Sequence, residues 1–104
     1  MSRNALRRFV EGLEGSRDQN AVRTALNAWF HEVKRVSWKS PADVKEKYAN
    51  ASFVGSERIV FNIKGNSYRL VVGVDYHRGI VFIKWFGSHA EYDRIDVRKV
   101  NYGD

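Results

Sequence analysis

The chain has 104 residues, a length that suits one compact domain with a single modest hydrophobic core. It contains no cysteine, which excludes a disulfide framework, a thiolate nucleophile and a cysteine-rich zinc site. Its formal net charge is +6, which favours a polyanionic partner such as RNA, DNA, an acidic protein or an anionic membrane, although surplus charge also serves solubility.

The distribution of apolar and charged residues further limits the classes of protein to which the chain can belong. No apolar stretch approaches the roughly 20 residues that a membrane span requires, and the N-terminal segment lacks the apolar run of a secretory signal. We therefore expect a cytoplasmic protein without a membrane segment. Basic residues are interleaved with acids, which favours a basic folded face over a basic tail. Because there are no repeats or Gly/Ser linkers, residues 1–104 are expected to form a single domain.

The first part of the chain has the apolar period of two amphipathic helices. Gly15 is placed to end the first helix, whose apolar stripe consists of Leu6, Phe9, Val10 and Leu13. Asp18 can cap the second helix, whose stripe consists of Val22, Leu26, Trp29, Phe30 and Val33. The second helix is therefore expected to pack on the core.

A third, short helix is predicted next along the chain. Ser40, Pro41 and Asp43 follow the order of an N-cap, a proline at the first helical position and a first-turn acid. The helix is expected to run through Tyr48. Residues 49–57 are then predicted to form a loop.

The second half of the chain changes to β-branched and aromatic residues, which favour strands. Three strands are predicted, with the sequences IVFNI (59–63), SYRLVVGVD (67–75) and IVFIKWF (80–86). The two connections are short and contain glycine, so consecutive strands are expected to pair as antiparallel hairpins. The predicted fold is α+β, with the N-terminal helices packed on one face of a small antiparallel β-sheet.

Alternation along the strands predicts which residues share a face. One face of the middle strand contains Tyr68, Leu70, Val72 and Val74, and the other contains Arg69, Val71, Gly73 and Asp75. In the third strand, one predicted face consists of Val81, Ile83 and Trp85, and the other consists of Ile80, Phe82, Lys84 and Phe86. We expect the face away from the helices to present Arg69 and Lys84, in a strand register that the sequence does not specify.

Three segments of the chain resemble a known family. They are WKSPADVKEKY (38–48), VFNIKGNSYRLVVGV (60–74) and IVFIKWFGSHAEYDRID (80–96), and they look like the HigB-type toxins of bacterial toxin-antitoxin systems. The resemblance implies a RelE-like fold and an endoribonuclease that cleaves mRNA mainly on the ribosome. It also implies a cognate HigA-like helix-turn-helix antitoxin that holds the toxin inactive. The oligomeric state is left open by the sequence, with a monomer expected.

Metal-free cleavage of RNA requires deprotonation of the ribose 2′-OH and neutralisation of charge on the adjacent phosphate. His89 is the first candidate for proton transfer, because histidine can be neutral or protonated near neutral pH. It lies where the family motif Gly-Ser/Thr-His-x-Glu-Tyr places its histidine, with Ser88 in the hydroxyl position. The alternative is that His89 only hydrogen-bonds a carbonyl where the strand leaves the core.

Two cations are candidates for contact with the phosphate. Arg69 is the better one, since a guanidinium is permanently charged and can bind two phosphate oxygens, and related toxins carry an arginine on the equivalent strand. Its alternative role is a structural ion pair with Asp75 or Glu91. Lys84 interrupts an apolar strand and is the second candidate, and its alternative role is protection of a strand edge.

Tyr92 completes the catalytic candidates, because its ring can stack on a base and its hydroxyl can bind phosphate. RelE-like enzymes commonly have an aromatic residue here. Lys64 and Asn66 are candidate RNA contacts, or else only turn residues. Glu91 and Asp93 are possible bases or groups that orient His89, but they are interpreted by default as solvated charges and are left out of the catalytic candidates. A wider RNA- and ribosome-binding surface is expected from Lys34, Arg35, Lys39, Lys45 and Lys47.

Other types of site have no support in the sequence. The histidines His31, His77 and His89 are far apart and lack a local metal-ligand pattern. There is no Walker loop, dinucleotide fingerprint or G-x-S-x-G elbow. No metal site and no cofactor are therefore predicted. The competing hypothesis is a non-enzymatic basic RNA- or ribosome-binding module, whose histidine and arginine only contact phosphate.

Overall fold

The computed structural model describes residues 18–35, 38–55 and 57–100, and the first predicted helix lies outside these ranges. In chain order, the elements are helix α1 (Gln19–Arg35), helix α2 (Pro41–Lys47), strand β1 (Ser52–Val54), strand β2 (Arg58–Ile63), strand β3 (Tyr68–Asp75), strand β4 (Ile80–Ser88) and helix α3 (His89–Tyr92). No helix in the described part of the chain has the length and apolarity needed to cross a membrane. The fold is α+β, as predicted.

The second and third predicted helices both form. Helix α1 begins directly after Asp18, whose backbone carbonyl accepts the Val22 N–H at 2.8 Å. The predicted stripe of α1 is confirmed, with Phe30 half-buried and the other members buried, namely Val22, Leu26, Trp29 and Val33. In α2, the Asp43 carboxylate accepts the Lys39 N–H at 3.0 Å and so fixes the chain just before the first turn.

The four strands form one antiparallel sheet in the order β1-β2-β3-β4, so the predicted meander is confirmed. The prediction of a loop over residues 49–57 is wrong, because β1 pairs with β2 and sets Phe53 opposite Ile59. A strand of three residues is too short to show a period of two, so alternation could not detect it. The sheet therefore has the short β1 at one edge and the nine-residue β4 at the other.

A bulge in the pairing of β3 with β4 changes which residues of β4 face the core. Beyond the pair formed by Val71 and Trp85, the pairing skips Lys84 before it continues towards the β3–β4 turn. The predicted faces of β4 are therefore wrong at two positions. Phe86 is buried in the core with 1% exposure, whereas Trp85 is half-buried on the opposite face. Alternation fails here because the bulge adds one residue to one strand only.

One buried cluster contains side chains from the helices and from one face of the sheet. Its strand members are Ile59, Phe61, Ile63, Tyr68, Leu70, Val72, Val74, Val81, Ile83 and Phe86, and its helix members are Val22, Leu26, Trp29, Val33 and Val44. Phe61 is central, since its ring centroid lies within 6.0 Å of those of Trp29, Trp38 and Tyr48. We call this sheet face the core face and the opposite face the outer face.

The outer face is covered in part by the segment that follows α3. Arg58 projects from this face, and its Nη1 donates to the backbone carbonyls of Val97 at 2.9 Å and Val100 at 2.6 Å. Val60 and Val71 are on the same face and are buried, with 3% and 0% exposure, although they do not belong to the core cluster. Arg58 therefore ties the C-terminal segment to the sheet.

Replacing Arg58 by alanine is expected to destabilise the fold by about 2 kcal/mol, because hydrogen bonds from a charged group to two carbonyls are lost. The measurement is the free energy of unfolding from urea denaturation. Arg98→Ala is a matched control, since Arg98 is exposed. Equal unfolding free energies for the two variants would contradict the conclusion that Arg58 ties the C-terminal segment to the sheet.

Candidate active site

The short helix α3 places His89 directly after β4. Ser88 caps this helix, because its Oγ accepts the Glu91 N–H at 3.1 Å while Oε1 of Glu91 accepts the Ser88 N–H at 2.9 Å. The His89 N–H also donates to the backbone carbonyl of Ser67 at 2.9 Å. The backbone of His89 is therefore fixed beside the start of β3.

Arg69 lies at the centre of a polar cluster on the outer face. Its Nη2 is 2.7 Å from Nδ1 of His89 and donates to the side-chain oxygen of Asn66 at 2.8 Å. Its Nη1 donates to the backbone carbonyls of Asn66 at 3.0 Å and Tyr68 at 3.2 Å. The guanidinium carbon is 5.9 Å from the ring centroid of Tyr92. These contacts hold the guanidinium in one position next to the histidine.

The acids considered as ion-pair partners of Arg69 have other contacts. Asp75 lies 3.8 Å from Nε of Arg78 and also accepts the Arg78 N–H at 3.1 Å. The Glu91 carboxylate accepts the backbone N–H of Ser88 in the cap of α3. The side chains that contact the Arg69 guanidinium are instead a histidine, an amide and an aromatic ring.

The contact with Arg69 assigns the tautomer of His89. A guanidinium has donors and no acceptor, so Nδ1 of His89 accepts and the ring proton is on Nε2. This Nε2 is 3.3 Å from Oδ2 of Asp93, and both side chains are about half exposed. The structure thus places Asp93 in the cluster, in the position of a group that orients His89 rather than that of a solvated charge, and the available sequence signal was its i,i+4 spacing from His89. Within the described ranges, no three His, Asp or Glu side chains are arranged to hold a metal ion.

Two aromatic rings lie beside the arginine. The ring centroids of Tyr92 and Trp85 are 6.2 Å apart, and the indole faces outward because of the bulge in β4. Gly87, which pairs with Arg69 across the strands, makes room for this indole, since a Cβ at Gly87 would overlap the Trp85 ring. We define the His89 cluster as Asn66, Arg69, His89, Tyr92 and Asp93.

Lys84 lies on the same face but apart from the His89 cluster. Its side chain crosses Gly73, where an added Cβ would be 3.0 Å from Cε of the lysine. Its Nζ is 5.6 Å from the ring centroid of Phe82. Gly73 is four residues from Arg69 along β3, which corresponds to about 13 Å. Alternation predicted the face of Lys84 correctly, but not its distance from the other catalytic candidates.

The turn between β2 and β3 contains the predicted contact residues Lys64 and Asn66. Lys64 adopts left-handed backbone angles with φ of 53°, and Gly65 follows with φ of 63°. The Lys64 ammonium is 2.7 Å from Oδ1 of Asp18, whose Oδ2 accepts the Tyr68 hydroxyl at 3.0 Å. The Lys64 bond and then the Tyr68 bond lower the pKa of Asp18 below its ordinary value. The start of α1 is thus tied to the turn that holds Asn66.

Three of the predicted basic contacts lie away from this turn. Lys34 and Arg35 are exposed in the last turn of α1. Because α1 begins beside Lys64 and is about 25 Å long, they are far from the His89 cluster. Lys39 lines a surface cavity with residues of the β3–β4 turn, among them Arg78. The sheet therefore has basic side chains near both of its ends.

The lysines of α2 already make contacts within the protein. The Lys45 ammonium donates to the backbone carbonyls of Ala49 at 3.2 Å and Ala51 at 2.6 Å. The Lys47 ammonium is 3.7 Å from a carboxylate oxygen of Glu32. Lys45 thus stabilises the chain after α2, while Lys47 stays half exposed.

Comparison with known families decides the identity. The model of the HigB toxin family, described as the RelE-like toxic component of a toxin-antitoxin system, matches residues 22–95. The chain belongs to the HigB toxin family. The match extends from α1 to the end of the His89 cluster, and it makes an antitoxin the partner of this toxin. Comparison with curated proteins gives no significant match.

The carboxylate of Asp18 is expected to stabilise this HigB toxin in a pH-dependent manner. Its pKa is lowered on folding, so its contribution is complete above the unfolded pKa and is lost as pH falls through the folded pKa. The stability gap between wild type and Asp18→Asn, measured by urea denaturation, should shrink from neutral to acidic pH. Glu46→Gln at an exposed site is the control. A gap that stays constant with pH would contradict the ionic role.

Proposed function

We propose that this HigB toxin is a metal-independent endoribonuclease that cleaves ribosome-bound mRNA and so inhibits translation. The observation that carries the proposal is the 2.7 Å contact between the Arg69 guanidinium and Nδ1 of His89. A permanent cation and a proton-transfer group at this separation can act on one phosphodiester. Membership in a family of toxins supports the biological role.

In the proposed reaction, an oxygen of the scissile phosphate replaces Nδ1 of His89 as the acceptor of an Arg69 Nη2–H, while the bonds to Asn66 and Tyr68 keep the guanidinium in place. Nδ1 of His89 then accepts the proton of the ribose 2′-OH, and the 2′-oxygen attacks the adjacent phosphorus. The bond between phosphorus and the 5′-oxygen breaks, and the imidazolium returns its proton to that oxygen. The products are a 2′,3′-cyclic phosphate and a 5′-hydroxyl end.

The other members of the cluster support this proton transfer. Asp93 faces Nε2 of His89 and stabilises the imidazolium while it exists. Asn66 holds the Arg69 guanidinium in the orientation from which it reaches the phosphate. Tyr92 stacks on a base next to the scissile bond, and its hydroxyl binds phosphate. Lys84 binds a phosphate further along the same strand of RNA, in keeping with its distance from Arg69.

Binding to the ribosome uses the wider basic surface. Lys64 acts near the cluster, and a more remote set contacts ribosomal RNA, namely Lys34, Arg35, Lys39, Lys45 and Lys47. The toxin acts in the cytoplasm as a monomer, and a HigA-like helix-turn-helix antitoxin holds it inactive. The net charge of +6 favours each of these RNA contacts.

Replacing His89 by alanine is expected to slow mRNA cleavage by about 10²- to 10⁴-fold, because the proton acceptor is removed. The measurement is primer extension on a defined mRNA, with and without translating ribosomes. His31→Ala is the control, since His31 is exposed on α1. Cleavage that survives His89→Ala would contradict the role of His89. The absence of cleavage by wild type, together with ribosome binding, would favour a non-enzymatic RNA-binding module.

Arg69→Ala and Lys34→Ala are expected to separate cleavage from binding. Arg69→Ala should lower the cleavage rate with little change in ribosome affinity, because its cation acts on the charge that develops during reaction. Lys34→Ala should weaken ribosome binding slightly and reduce its salt dependence, with the rate of bound toxin unchanged. The measurements are single-turnover cleavage and co-sedimentation with ribosomes over a salt series. Equal losses of affinity in both variants would contradict the division of roles.

A further inference from the structure

Phe82 is exposed on the outer face without an assigned role. Its side chain is 45% exposed, and it is the large hydrophobic residue that the described ranges leave most open to solvent. The Lys84 ammonium lies 5.6 Å from its ring centroid, so the ring already interacts with a cation. An open aromatic face next to a lysine is the combination on which single-stranded nucleic acids stack.

A cavity of about 530 Å³ opens beside this ring. Its lining includes Glu57, Gly73, Asp75, His77, Phe82 and Lys84. Gly73 leaves room for the Lys84 side chain at the base of the cavity, because an added Cβ at this position would press against that side chain. The cavity therefore combines a stacking surface, an ammonium group and two carboxylates.

The two carboxylates of the cavity differ in their availability. Asp75 is bound by the backbone N–H and the guanidinium of Arg78. Glu57 is exposed directly before β2, and in the described part of the chain its side chain makes no hydrogen bond or ion pair that competes for it. A free carboxylate accepts hydrogen bonds from a base that has an exocyclic amine. Guanine suits it best, since its N1–H and its amine can bind both carboxylate oxygens.

The position of the cavity connects it with the His89 cluster. Both lie on the outer face, about 13 Å apart along β3. The indole of Trp85 lies between them, beside Tyr92 on one side and next to Lys84 in the chain on the other. An RNA strand bound at His89 can therefore follow β4 over aromatic and basic side chains to reach Phe82.

We propose that this cavity is a nucleotide-binding subsite that stacks one base of the RNA on Phe82 and prefers guanine through Glu57. Lys84 binds the phosphate of that nucleotide. The subsite rests on the proposed function for its biological use, since it selects the message at a nucleotide away from the scissile bond.

The test uses nucleoside monophosphates, which bind without being cleaved. GMP, AMP, CMP and UMP are titrated separately into the ¹⁵N-labelled full chain, and amide shifts are followed by NMR. We expect saturable shifts at Gly73, Phe82 and Lys84, with GMP binding most tightly and UMP most weakly. Phe82→Ala should weaken binding of every nucleotide by about tenfold, and Phe82→Trp should restore it.

Glu57→Gln should remove the preference for GMP over UMP while leaving UMP binding unchanged. The control variant Glu46→Gln on α2 should leave the affinities for GMP and UMP unchanged. Shifts confined to the His89 cluster, or equal affinities in wild type and Phe82→Ala, would overturn the subsite. The subsite would also be overturned if Phe82→Ala lost antitoxin binding and no nucleotide caused shifts at the cavity. The Phe82 ring would then be a contact for the antitoxin and not for RNA. The titration gives its answer even if the toxin proves not to cleave mRNA, so the two proposals fail separately.

Discussion

The pairing of β3 with β4 is the constraint on which both the core and the site depend. It sets Arg69 opposite Gly87, two residues before the helix that begins with His89. Its bulge turns Trp85 outward and leaves Phe86 inward, where the Phe86 ring stacks on the ring of Tyr68. Without this irregularity, the outer face would lose its indole and the core would receive a larger ring. One local change in hydrogen bonding therefore decides both the packing of the core and the arrangement of the candidate site.

The regular elements could be predicted because burial follows the period of each element. Val22 and Leu26 share one side of a helix, and Leu70 and Val72 share one side of a strand. Their spacing in the sequence therefore predicts that they are buried together. The order of Trp85 and Phe86 could not be predicted, because both side chains are large and apolar and the strand pairing decides between them. The short β1 could not be predicted from the sequence for a related reason. Its three residues are ordered by hydrogen bonds from β2, which no local pattern encodes.

The candidate site was accessible to sequence reasoning only in its residue types. Histidine and arginine suit the chemistry, and the family resemblance selected His89 and Arg69 among several of each. Their 2.7 Å contact depends on two strands and a helix cap, which are tertiary features. Asp93 was interpreted by default as a solvated charge because an acid in a polar stretch carries little local signal, and its contact with His89 depends on the turn of α3 that it follows. Lys84 was grouped with the cluster because alternation reports the face of a residue but not its place along the strand.

The contacts of Asp18 also bear on the order of events in folding. This carboxylate binds Lys64 and Tyr68, which follow it by 46 and 50 residues. Contacts of such long sequence separation require closure of a large loop, so they form after the local helix and hairpin contacts. The tie between the β2–β3 turn and the start of α1 therefore forms only when the helical half of the chain has docked on the sheet. In a nascent toxin whose sheet has formed alone, Lys64 and Tyr68 would still lack the Asp18 carboxylate as a partner.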